Sequence, residues 1–275
     1  MKARLHPARG VGFPPAFVER CLDEALAVRR GMPTALAIAG AQGSGKSTLA
    51  AQLVAAGAHR GLAVIALSID DFYLTRRERQ RLAREVHALL ATRGPPGTHD
   101  IALASATLAA LEEGEARLPR FDKLADTRLP PSRWRQVLRR PDLIVFEGWF
   151  LGLRPQSDAQ LRSAINTLER SEDPDAAWRR WCNARLADYA PLWQRFDRLL
   201  YLQAPSFDVV PGWRARQERN LAMKRSRPGM ARAAIDRFVQ HFERLTRHGM
   251  KTLPGIADRV VRLDATHRIV HDPMR

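Results

Sequence analysis

A glycine-rich segment, GAQGSGKST at residues 40–48, constrains the fold of this chain more than any other feature. It fits the pattern G-x-x-x-x-G-K-[ST], and it lies between an apolar run at 34–40 and an alanine- and leucine-rich stretch at 46–59 that reads as a helix. Its glycines let successive backbone N–H groups turn inward around a phosphate, and the positive end of the following helix strengthens the attraction. The segment therefore predicts a P-loop between a buried strand and a helix.

The P-loop also indicates where a nucleotide and its metal ion bind. Lys46 is expected to reach the β- and γ-phosphates and to act in catalysis, and the Ser47 hydroxyl is expected to ligate Mg²⁺. Glu147, in the later run LIVFEGWF, is a single carboxylate at the end of a buried strand, which suits Mg²⁺ and its water shell. We therefore expect ATP and Mg²⁺ as cofactors. The predicted nucleotide-binding residues in the loop are Gly40, Ala41, Gln42, Gly43, Ser44, Gly45, Lys46, Ser47 and Thr48.

Apolar runs alternate with helical stretches along the rest of the chain. Runs at 62–69, 142–148, 198–204 and 258–264 read as further strands, continuous in hydrophobicity as strands buried on both faces are. Helical stretches are predicted at 16–30, 75–90, 100–113, 174–189, 209–225 and 230–247. This alternation predicts an α/β fold with a doubly wound, mainly parallel five-stranded sheet and helical insertions. We expect one domain over residues 1–275, with an N-terminal helical extension at 1–31.

Two adjacent carboxylates, Asp70 and Asp71, follow the second predicted strand in the sequence SIDDFYL. They repel each other and lose hydration at the mouth of a buried strand, so stability alone does not explain them. The tips of strands in a doubly wound sheet open onto a common crevice, which would place Asp70 opposite the P-loop. There it could accept the proton of an attacking hydroxyl. Asp71 could instead cap the helix near Thr75 or support Asp70 from behind. Asp70 is therefore the predicted catalytic base.

The charge and composition narrow the range of partners. The formal net charge is +16, from 45 Lys and Arg against 29 Asp and Glu, which would attract polyanions. The basic residues are spread over nearly every segment, without an aromatic-interleaved tract or zinc-finger spacing, so we do not expect nucleic acid as a partner. No run is long enough to span a membrane, and the first residues lack the apolar core of a secretory signal. We expect no membrane contact and a cytoplasmic location.

The P-loop fixes the nucleotide but leaves the reaction open. A GTPase needs a guanine-reading N-K-x-D segment, which is absent, and motor ATPases carry an acidic pair where this chain has Glu147 followed by Gly148. Phosphoryl transfer to a small molecule remains. A nucleic-acid-dependent NTPase is the alternative from a different class, and it predicts turnover stimulated by DNA or RNA with strongly salt-dependent binding.

Five segments together resemble the D-glycerate 3-kinases, the P-loop type found in plants with fungal and bacterial relatives. They are GAQGSGKST, LSIDDFYLT, TRGPPGTHD, PRFDKLADTRLPPSRW and FEGWFLGLRP. That family lies within the wider group of phosphoribulokinases, uridine kinases and bacterial-type pantothenate kinases. The resemblance runs from about residue 34 to the last strand, and it implies a nucleoside- and nucleotide-kinase-like P-loop fold with a lid at about 205–230. Thr127, directly before Arg128, is a departure, since the family more often carries an acid there.

The resemblance also implies roles for individual residues. It makes Asp70 the base and Glu147 the acid near Mg²⁺, and it places Arg214 in the lid over the phosphates. Around the acceptor it implies His99, Asp100, Asp122, Lys123 and Arg128. A site for a carboxylated acceptor needs a cationic side chain to bind the carboxylate, and Lys123, Arg128 and Arg93 are the candidates. We expect Phe72 and Tyr73 to wall the acceptor pocket, with the Tyr73 hydroxyl bonding the substrate, and Trp213 to pack rather than stack on adenine.

The sequence therefore predicts an ATP- and Mg²⁺-dependent phosphotransferase that acts on an alcohol group of a small carboxylated metabolite. D-glycerate, giving 3-phosphoglycerate, is the preferred acceptor. Other small-molecule acceptors of the same group, namely a nucleoside, pantothenate or a sugar phosphate, remain open alternatives.

Overall fold

The structure is a computed structural model that describes residues 12–28, 33–225 and 230–272. Its helices are α1 (Pro15–Ala27), α2 (Lys46–His59), α3 (Arg76–Glu85), α4 (Ile101–Glu113), α5 (Asp158–Leu161), α6 (Thr167–Glu172), α7 (Ala177–Arg185), α8 (Ala190–Trp193), α9 (Val210–Arg225) and α10 (Arg232–Thr252). Its strands are β1 (Thr34–Gly40), β2 (Val64–Ser68), β3 (Ala116–Leu118), β4 (Phe121–Asp122), β5 (Thr127–Arg128), β6 (Arg135–Val137), β7 (Leu143–Gly148), β8 (Arg198–Gln203), β9 (Arg259–Leu263) and β10 (Ile269–His271).

The central sheet has the strand order β10-β9-β8-β1-β7-β2. Five of its strands are the predicted ones, namely β1, β2, β7, β8 and β9, and they pair in parallel. The short sixth strand, β10, adds to the edge in the antiparallel sense. The parallel α/β P-loop architecture is confirmed, with helices on both faces of the sheet as parallel strands require.

The order of the strands changes one detail of the prediction. β7 lies between β1 and β2, so the strand that ends before Asp70 is not the direct neighbour of the P-loop strand. The register nevertheless keeps the tips level, because Ala39 lies beside Gly148 and Ser68 lies beside Glu147. The P-loop, Glu147 and Asp70 therefore reach one edge of the sheet in that order.

The sheet divides the apolar side chains into two cores. Along β1, Ala37 and Ala39 face one core and Leu36 and Ile38 face the other, which is the two-residue alternation of a strand. The first core is closed by α4, α8 and α10, and the second by α1 and α2. Cys21 and Cys182 are both buried and free, and each packs within a hydrophobic cluster.

Two small antiparallel sheets between α4 and β7 were not predicted. β3 pairs with β6, and β4 pairs with β5 to form a hairpin over Phe121–Arg128, called here the β4–β5 hairpin. Strands of two or three residues carry too little periodicity to be recognised in a sequence. This hairpin carries several of the residues that the resemblance assigned to the acceptor.

The predicted helix at 75–90 is shorter in the structure. α3 begins after a capping box in which Thr75 accepts from the backbone N–H of Glu78 and the Glu78 carboxylate accepts from that of Thr75. It ends at Glu85, and a short 3₁₀ helix follows at Ala88–Ala91 with His87 as its cap. Residues 1–11 and 29–31 of the predicted N-terminal extension, and 226–229 of the predicted lid, lie outside the described residues. In the described part of the chain, no helix is long and apolar enough to cross a membrane.

Candidate active site

The P-loop turns tightly because of its glycines. Gly43 and Gly45 have φ angles of +77° and +97°, in the left-handed region that favours glycine. A Cβ atom on Gly40 would lie 2.8 Å from the carbonyl oxygen of Leu202, and one on Gly43 would lie 2.7 Å from the Cβ of Trp213. The loop backbone is therefore packed too closely for side chains at these positions, and α2 begins directly after it at Lys46.

The side chains of the P-loop are joined to the neighbouring strand β7. The Ser47 hydroxyl donates to a carboxylate oxygen of Glu147 at 2.8 Å. The Lys46 ammonium donates to the Ala41 carbonyl at 3.0 Å. Burial lowers the pKa of Lys46, while the charges of Glu147 and Asp70 raise it in opposition. Glu147 and Asp70 thus favour the charged form of Lys46, and the negative charge of a bound triphosphate would favour it further.

Asp70 lies in a 3₁₀ helix, Ile69–Phe72, that follows β2. The Tyr73 hydroxyl donates to one of its carboxylate oxygens at 2.6 Å, and the Lys123 ammonium donates to the other at 2.5 Å. Burial alone would raise the pKa of Asp70, but the Lys123 charge and these hydrogen bonds outweigh it and hold the pKa below its usual range. Asp70 is therefore an ionised carboxylate with a donor on each oxygen.

Asp71, the other member of the pair, is not a helix cap. Ser68 caps the 3₁₀ helix and Thr75 caps α3, so both capping positions are filled. Its carboxylate accepts from the backbone N–H of Phe121 at 3.3 Å, and the Arg120 guanidinium lies 3.8 Å away. Burial raises the pKa of Asp71 to about 6. Asp71 therefore ties the start of the β4–β5 hairpin to the 3₁₀ helix.

One cavity of about 990 Å³ joins the P-loop to Asp70. Its basic lining residues are Lys46, Arg93, Lys123, Arg214, Arg216 and Arg268, and its acidic ones are Asp70 and Glu147. The volume suits a nucleotide and a small second substrate, and the excess of cations suits anionic ligands. Phe72, expected to wall an acceptor pocket, instead stacks on Phe146 inside the core with no exposed surface. Tyr73 does line the cavity.

The remaining predicted acceptor residues divide into those on the cavity wall and those behind it. Arg93 lies on the wall with its guanidinium 2.5 Å from the Asp126 carboxylate. Arg128 lies behind it, donating to the Asp100 carboxylate and to the Tyr73 carbonyl, each at 3.1 Å. Asp100 also caps α4. The resemblance implied that Arg128 and Asp100 surround the acceptor, and in the structure they support the cavity wall from behind.

His99 and Asp122 also lie away from the open cavity wall. His99 is buried, with its Nδ1 atom 2.8 Å from the Tyr189 hydroxyl and its ring 4.8 Å from that of Tyr73. Burial lowers its pKa to about 3, so the ring is neutral at pH 7. The Asp122 carboxylate accepts from the backbone N–H groups of Leu124 and Ala125, which shapes the turn of the β4–β5 hairpin.

Comparison with known proteins identifies the family. The chain is 34% identical over 222 residues to the uncharacterized kinase mug58 of Schizosaccharomyces pombe, covering 77% of this chain and 79% of that protein. It is 31% identical over 229 residues to the chloroplastic D-glycerate 3-kinase of Arabidopsis thaliana, covering 76% of this chain but only 46% of the plant protein. This chain belongs to the P-loop kinase family that includes the D-glycerate 3-kinases. It is therefore a phosphotransferase with an alcohol group as acceptor.

The fold agrees with this family. The D-glycerate 3-kinase structure from Cryptococcus neoformans superposes with a TM-score of 0.73 over 95% of this chain and 97% of that one, at 24% identity. No protein-family model matches the sequence.

Residues of the predicted lid segment hold one another in the structure. Arg214 of α9 lines the cavity, but its guanidinium bonds to Gln217 and to Glu218 and lies 5.0 Å from the Phe238 ring. Trp213 is buried, as predicted for a packing residue, and its indole N–H donates to the Ala265 carbonyl at 2.8 Å. Arg214 would have to exchange Glu218 for a phosphate in order to act on the nucleotide.

Several residues of this kinase site gave no signal in the sequence. His267 adopts a φ of +71°, stacks on Trp213 at 4.1 Å and bonds through Nε2 to the Gly43 carbonyl at 2.7 Å. It thereby joins the β9–β10 turn to the P-loop and to α9. Phe13, in the segment before α1, lines the cavity near Gly45. Neither position matches a motif, so periodicity and spacing could not have found them.

Arg79 of α3 was likewise missed, because a helical arginine reads as a surface residue. Its side chain is only 1% exposed. It donates to the carbonyls of Leu74, Ala91 and Asp126 and lies 2.7 Å from the Asp126 carboxylate. Asp126, with a φ of +53°, is thus held between Arg79 and Arg93. This pairing fixes the turn of the β4–β5 hairpin beside the cavity.

Proposed function

We propose that this kinase transfers the γ-phosphoryl group of ATP, with Mg²⁺, to the 3-hydroxyl of D-glycerate to give 3-phosphoglycerate. One observation carries the proposal: a single cavity has the P-loop residues Lys46 and Ser47 on one side and the Asp70 carboxylate on the other, with Lys123 and Arg93 beside it. A kinase for a small hydroxy acid needs these three functions together, namely a phosphate site, a base and cations for the carboxylate.

At the nucleotide end, the loop amides and the N-terminus of α2 would hold the phosphates, and Lys46 would stabilise the charge that develops on the γ-phosphoryl oxygens. Lys46 is buried and bonded to the Ala41 carbonyl, so its position is already fixed before a nucleotide binds. Little reorganisation would then be needed during transfer.

The residues present fit a magnesium ion. Ser47 and Glu147 offer hard oxygen donors whose oxygens lie 2.8 Å apart, and Mg²⁺ commonly binds through one or two protein ligands plus waters and phosphates. Ser47 and Glu147 would hold the ion, which when bound neutralises charge on the β- and γ-phosphates.

At the acceptor end, Asp70 would accept the proton. The hydroxyl oxygen of the acceptor attacks the γ-phosphorus, the bond from that phosphorus to the β–γ bridging oxygen breaks, and ADP leaves. The hydroxyl proton passes to the Asp70 carboxylate. Tyr73, bonded to the other oxygen at 2.6 Å, would fix the orientation of Asp70.

Two cations on the cavity wall are the best candidates for the acceptor carboxylate. Lys123 and Arg93 both face the cavity, whereas Arg128 is engaged by Asp100 and the Tyr73 carbonyl behind the wall. A planar guanidinium binds a carboxylate through two hydrogen bonds, and an ammonium supplies a compact charge beside it.

A coupled assay of ADP release tests this function. ATP is supplied with Mg²⁺ and one acceptor at a time: D-glycerate, L-glycerate, glycerol, uridine, pantothenate or ribulose 5-phosphate, each with and without DNA or RNA. We expect turnover to depend on D-glycerate and to be unaffected by nucleic acid, with 3-phosphoglycerate identified as the product by mass spectrometry and NMR.

Two outcomes contradict the proposal. Turnover on another acceptor but not on D-glycerate would leave a kinase with a different substrate. Turnover that needs nucleic acid and no small acceptor would replace the kinase reaction by a nucleic-acid-dependent one. The cytoplasmic location expected from the sequence stays a prediction.

A further inference from the structure

The ion pair between Lys123 and Asp70 covers the base of the proposed reaction. The Lys123 ammonium lies 2.5 Å from one Asp70 oxygen, and the Tyr73 hydroxyl lies 2.6 Å from the other. With both donors in place the pKa of Asp70 lies below its usual range, although its burial alone would raise the pKa. A carboxylate with so low a pKa is a weak acceptor for the proton of a hydroxyl or of water.

Lys123 is held more loosely than the arginines near it. Its side chain is 46% exposed, and that of Asp70 is 27% exposed. Water competes for a pair this open, and the ammonium sits on a flexible four-carbon stem, so a second anion can draw it away readily. Arg128, by contrast, is 15% exposed and bonds to both Asp100 and the Tyr73 carbonyl.

The backbone on either side of Lys123 is fixed. On one side, the backbone N–H of Phe121 donates to the Asp71 carboxylate at 3.3 Å. On the other side, Asp126 is paired with the buried Arg79 at 2.7 Å. The β4–β5 hairpin is therefore anchored at both ends of the turn. The Lys123 side chain can change partner while the hairpin stays in place.

We propose that Lys123 masks Asp70 until the carboxylate of the acceptor draws the ammonium away, so that an anionic acceptor uncovers the base for its own hydroxyl. The idea rests on the proposed function, because it needs a carboxylate on the acceptor and Asp70 as the base. Water carries no such group and leaves the mask in place. Lys123 is then a specificity-determining residue that suppresses ATP hydrolysis and disfavours neutral alcohols.

The surroundings of Asp70 agree with this role. In the described part of the chain, Lys46, Tyr73, His99 and Asp71 are further charged or titratable groups that act on it. His99 is neutral at pH 7 because burial lowers its pKa to about 3. Once Lys123 moves to the acceptor, burial and the Asp71 charge raise the pKa of Asp70, and Lys46 limits the rise. Asp70 becomes a better base when the acceptor is present.

The substitution Lys123→Met tests the mask because it keeps the length of the stem and removes the charge. Three rates are measured: ATP hydrolysis without acceptor, turnover with D-glycerate and turnover with glycerol. We expect acceptor-free hydrolysis to rise about tenfold and the preference for D-glycerate over glycerol to fall at least about tenfold, since a base uncovered in advance needs no anion. Lys123→Arg, which keeps the charge, should raise acceptor-free hydrolysis less than Lys123→Met does.

Arg117→Met is the matched control, because Arg117 is an exposed cation on β3 outside the cavity lining. It should leave all three rates unchanged. The pH profile supplies a further measurement: the acid limb of kcat/KM should move to higher pH in Lys123→Met, because Asp70 loses the charge that holds its pKa down.

Either of two results overturns the mask. One is unchanged hydrolysis and an unchanged preference in Lys123→Met. The other is loss of D-glycerate turnover with no gain in hydrolysis, which is what a lysine that only binds carboxylate would give. If the wild-type kinase ignores D-glycerate but uses another acceptor, the proposed substrate is wrong, and the acceptor-free rate still tests the mask.

Discussion

The proposed function gives the cavity a nucleotide end and an acceptor end, and different kinds of interaction form these two ends. At the nucleotide end, glycine conformations and main-chain atoms define the site: Gly43 and Gly45 have positive φ angles, and Lys46 is held by a backbone carbonyl. At the acceptor end, ion pairs between side chains define it: Lys123 with Asp70, Asp126 with Arg79 and Arg93, and Arg128 with Asp100. Substitutions at the two ends should therefore disturb the site through different interactions.

This difference fits what each end must recognise. A triphosphate is the same for every kinase of this kind, so a rigid backbone cradle serves, and packing of Gly43 against Trp213 leaves it little freedom. An acceptor is recognised through the number and position of its charged groups, for which paired side chains supply charges that can exchange partners. We expect substitutions to alter nucleotide and acceptor kinetics separately.

The largest effect is expected at the acceptor end, from Asp70→Asn. The amide keeps the shape of the side chain but cannot take up a proton, so kcat should fall about 10³-fold, as for loss of a general base. The dissociation constant for ATP, measured by calorimetry, should stay within a few-fold of the wild-type value. Folding should be retained, which circular dichroism and thermal unfolding can check.

Near-normal turnover of Asp70→Asn would remove its assignment as the base. A large loss of ATP affinity would instead mean that Asp70 serves the nucleotide end, and the separation of the two ends would then fail.

Gly43→Ala tests the nucleotide end alone. Alanine at φ +77° is strained by about 1–2 kcal/mol, and its Cβ would lie 2.7 Å from the Cβ of Trp213, so the loop must shift. We expect the KM for ATP to rise about 10- to 100-fold, with the KM for the acceptor unchanged. Gly61→Ala is the matched control, because Gly61 also has a positive φ but meets no neighbouring atom within 4 Å. A parallel rise in acceptor KM in Gly43→Ala would show that the ends are coupled.

Asp126→Ala is the corresponding test of the acceptor end. It removes the carboxylate between Arg79 and Arg93 and leaves a buried guanidinium with carbonyl partners only. The free energy of unfolding should fall by about 2–3 kcal/mol, and the KM for the acceptor should rise about tenfold, while the KM for ATP stays unchanged. Asp158→Ala, at an exposed position in α5, is the control. An unchanged acceptor KM in Asp126→Ala would show that the turn needs no anchor.

The two ends also differ in how far the sequence predicts them. The apolar runs at 34–40 and 142–148 are buried strands with local signals, so the P-loop and Glu147 could be placed from sequence alone. At the acceptor end, the contacts join Arg79 to a residue 47 positions away and Lys123 to one 53 positions away. Such pairings depend on the tertiary fold, and neither strand length nor charge pattern reveals them. The family resemblance supplied Lys123 and Arg128, but not Arg79 or Asp126.

The smallest expected effect comes from Asp71, which anchors the hairpin at a cost in stability. Burial raises its pKa in the folded protein to about 6, above the ordinary 3.8. Between about pH 4 and pH 6 the folded state therefore binds more protons than the unfolded state, so the free energy of unfolding falls as the pH rises through that window. Below it, both states are protonated and this contribution disappears.

Asp71→Asn removes the cost of burying an ionised carboxylate and keeps an oxygen that can accept from the Phe121 N–H. We expect it to raise the free energy of unfolding by about 1 kcal/mol at pH 7.5, less than the full pKa shift implies because the nearby Arg120 charge is lost as a partner. At pH 3.5 the gain should vanish, as urea titrations at both pH values can measure. Because Asp71 touches no reacting group, the acceptor KM should change less than in Asp126→Ala. An equal gain in the free energy of unfolding at both pH values would mean that the ionised carboxylate is not the source of the instability. A large rise in the acceptor KM would mean that the acceptor end depends on Asp71 as well as on Asp126.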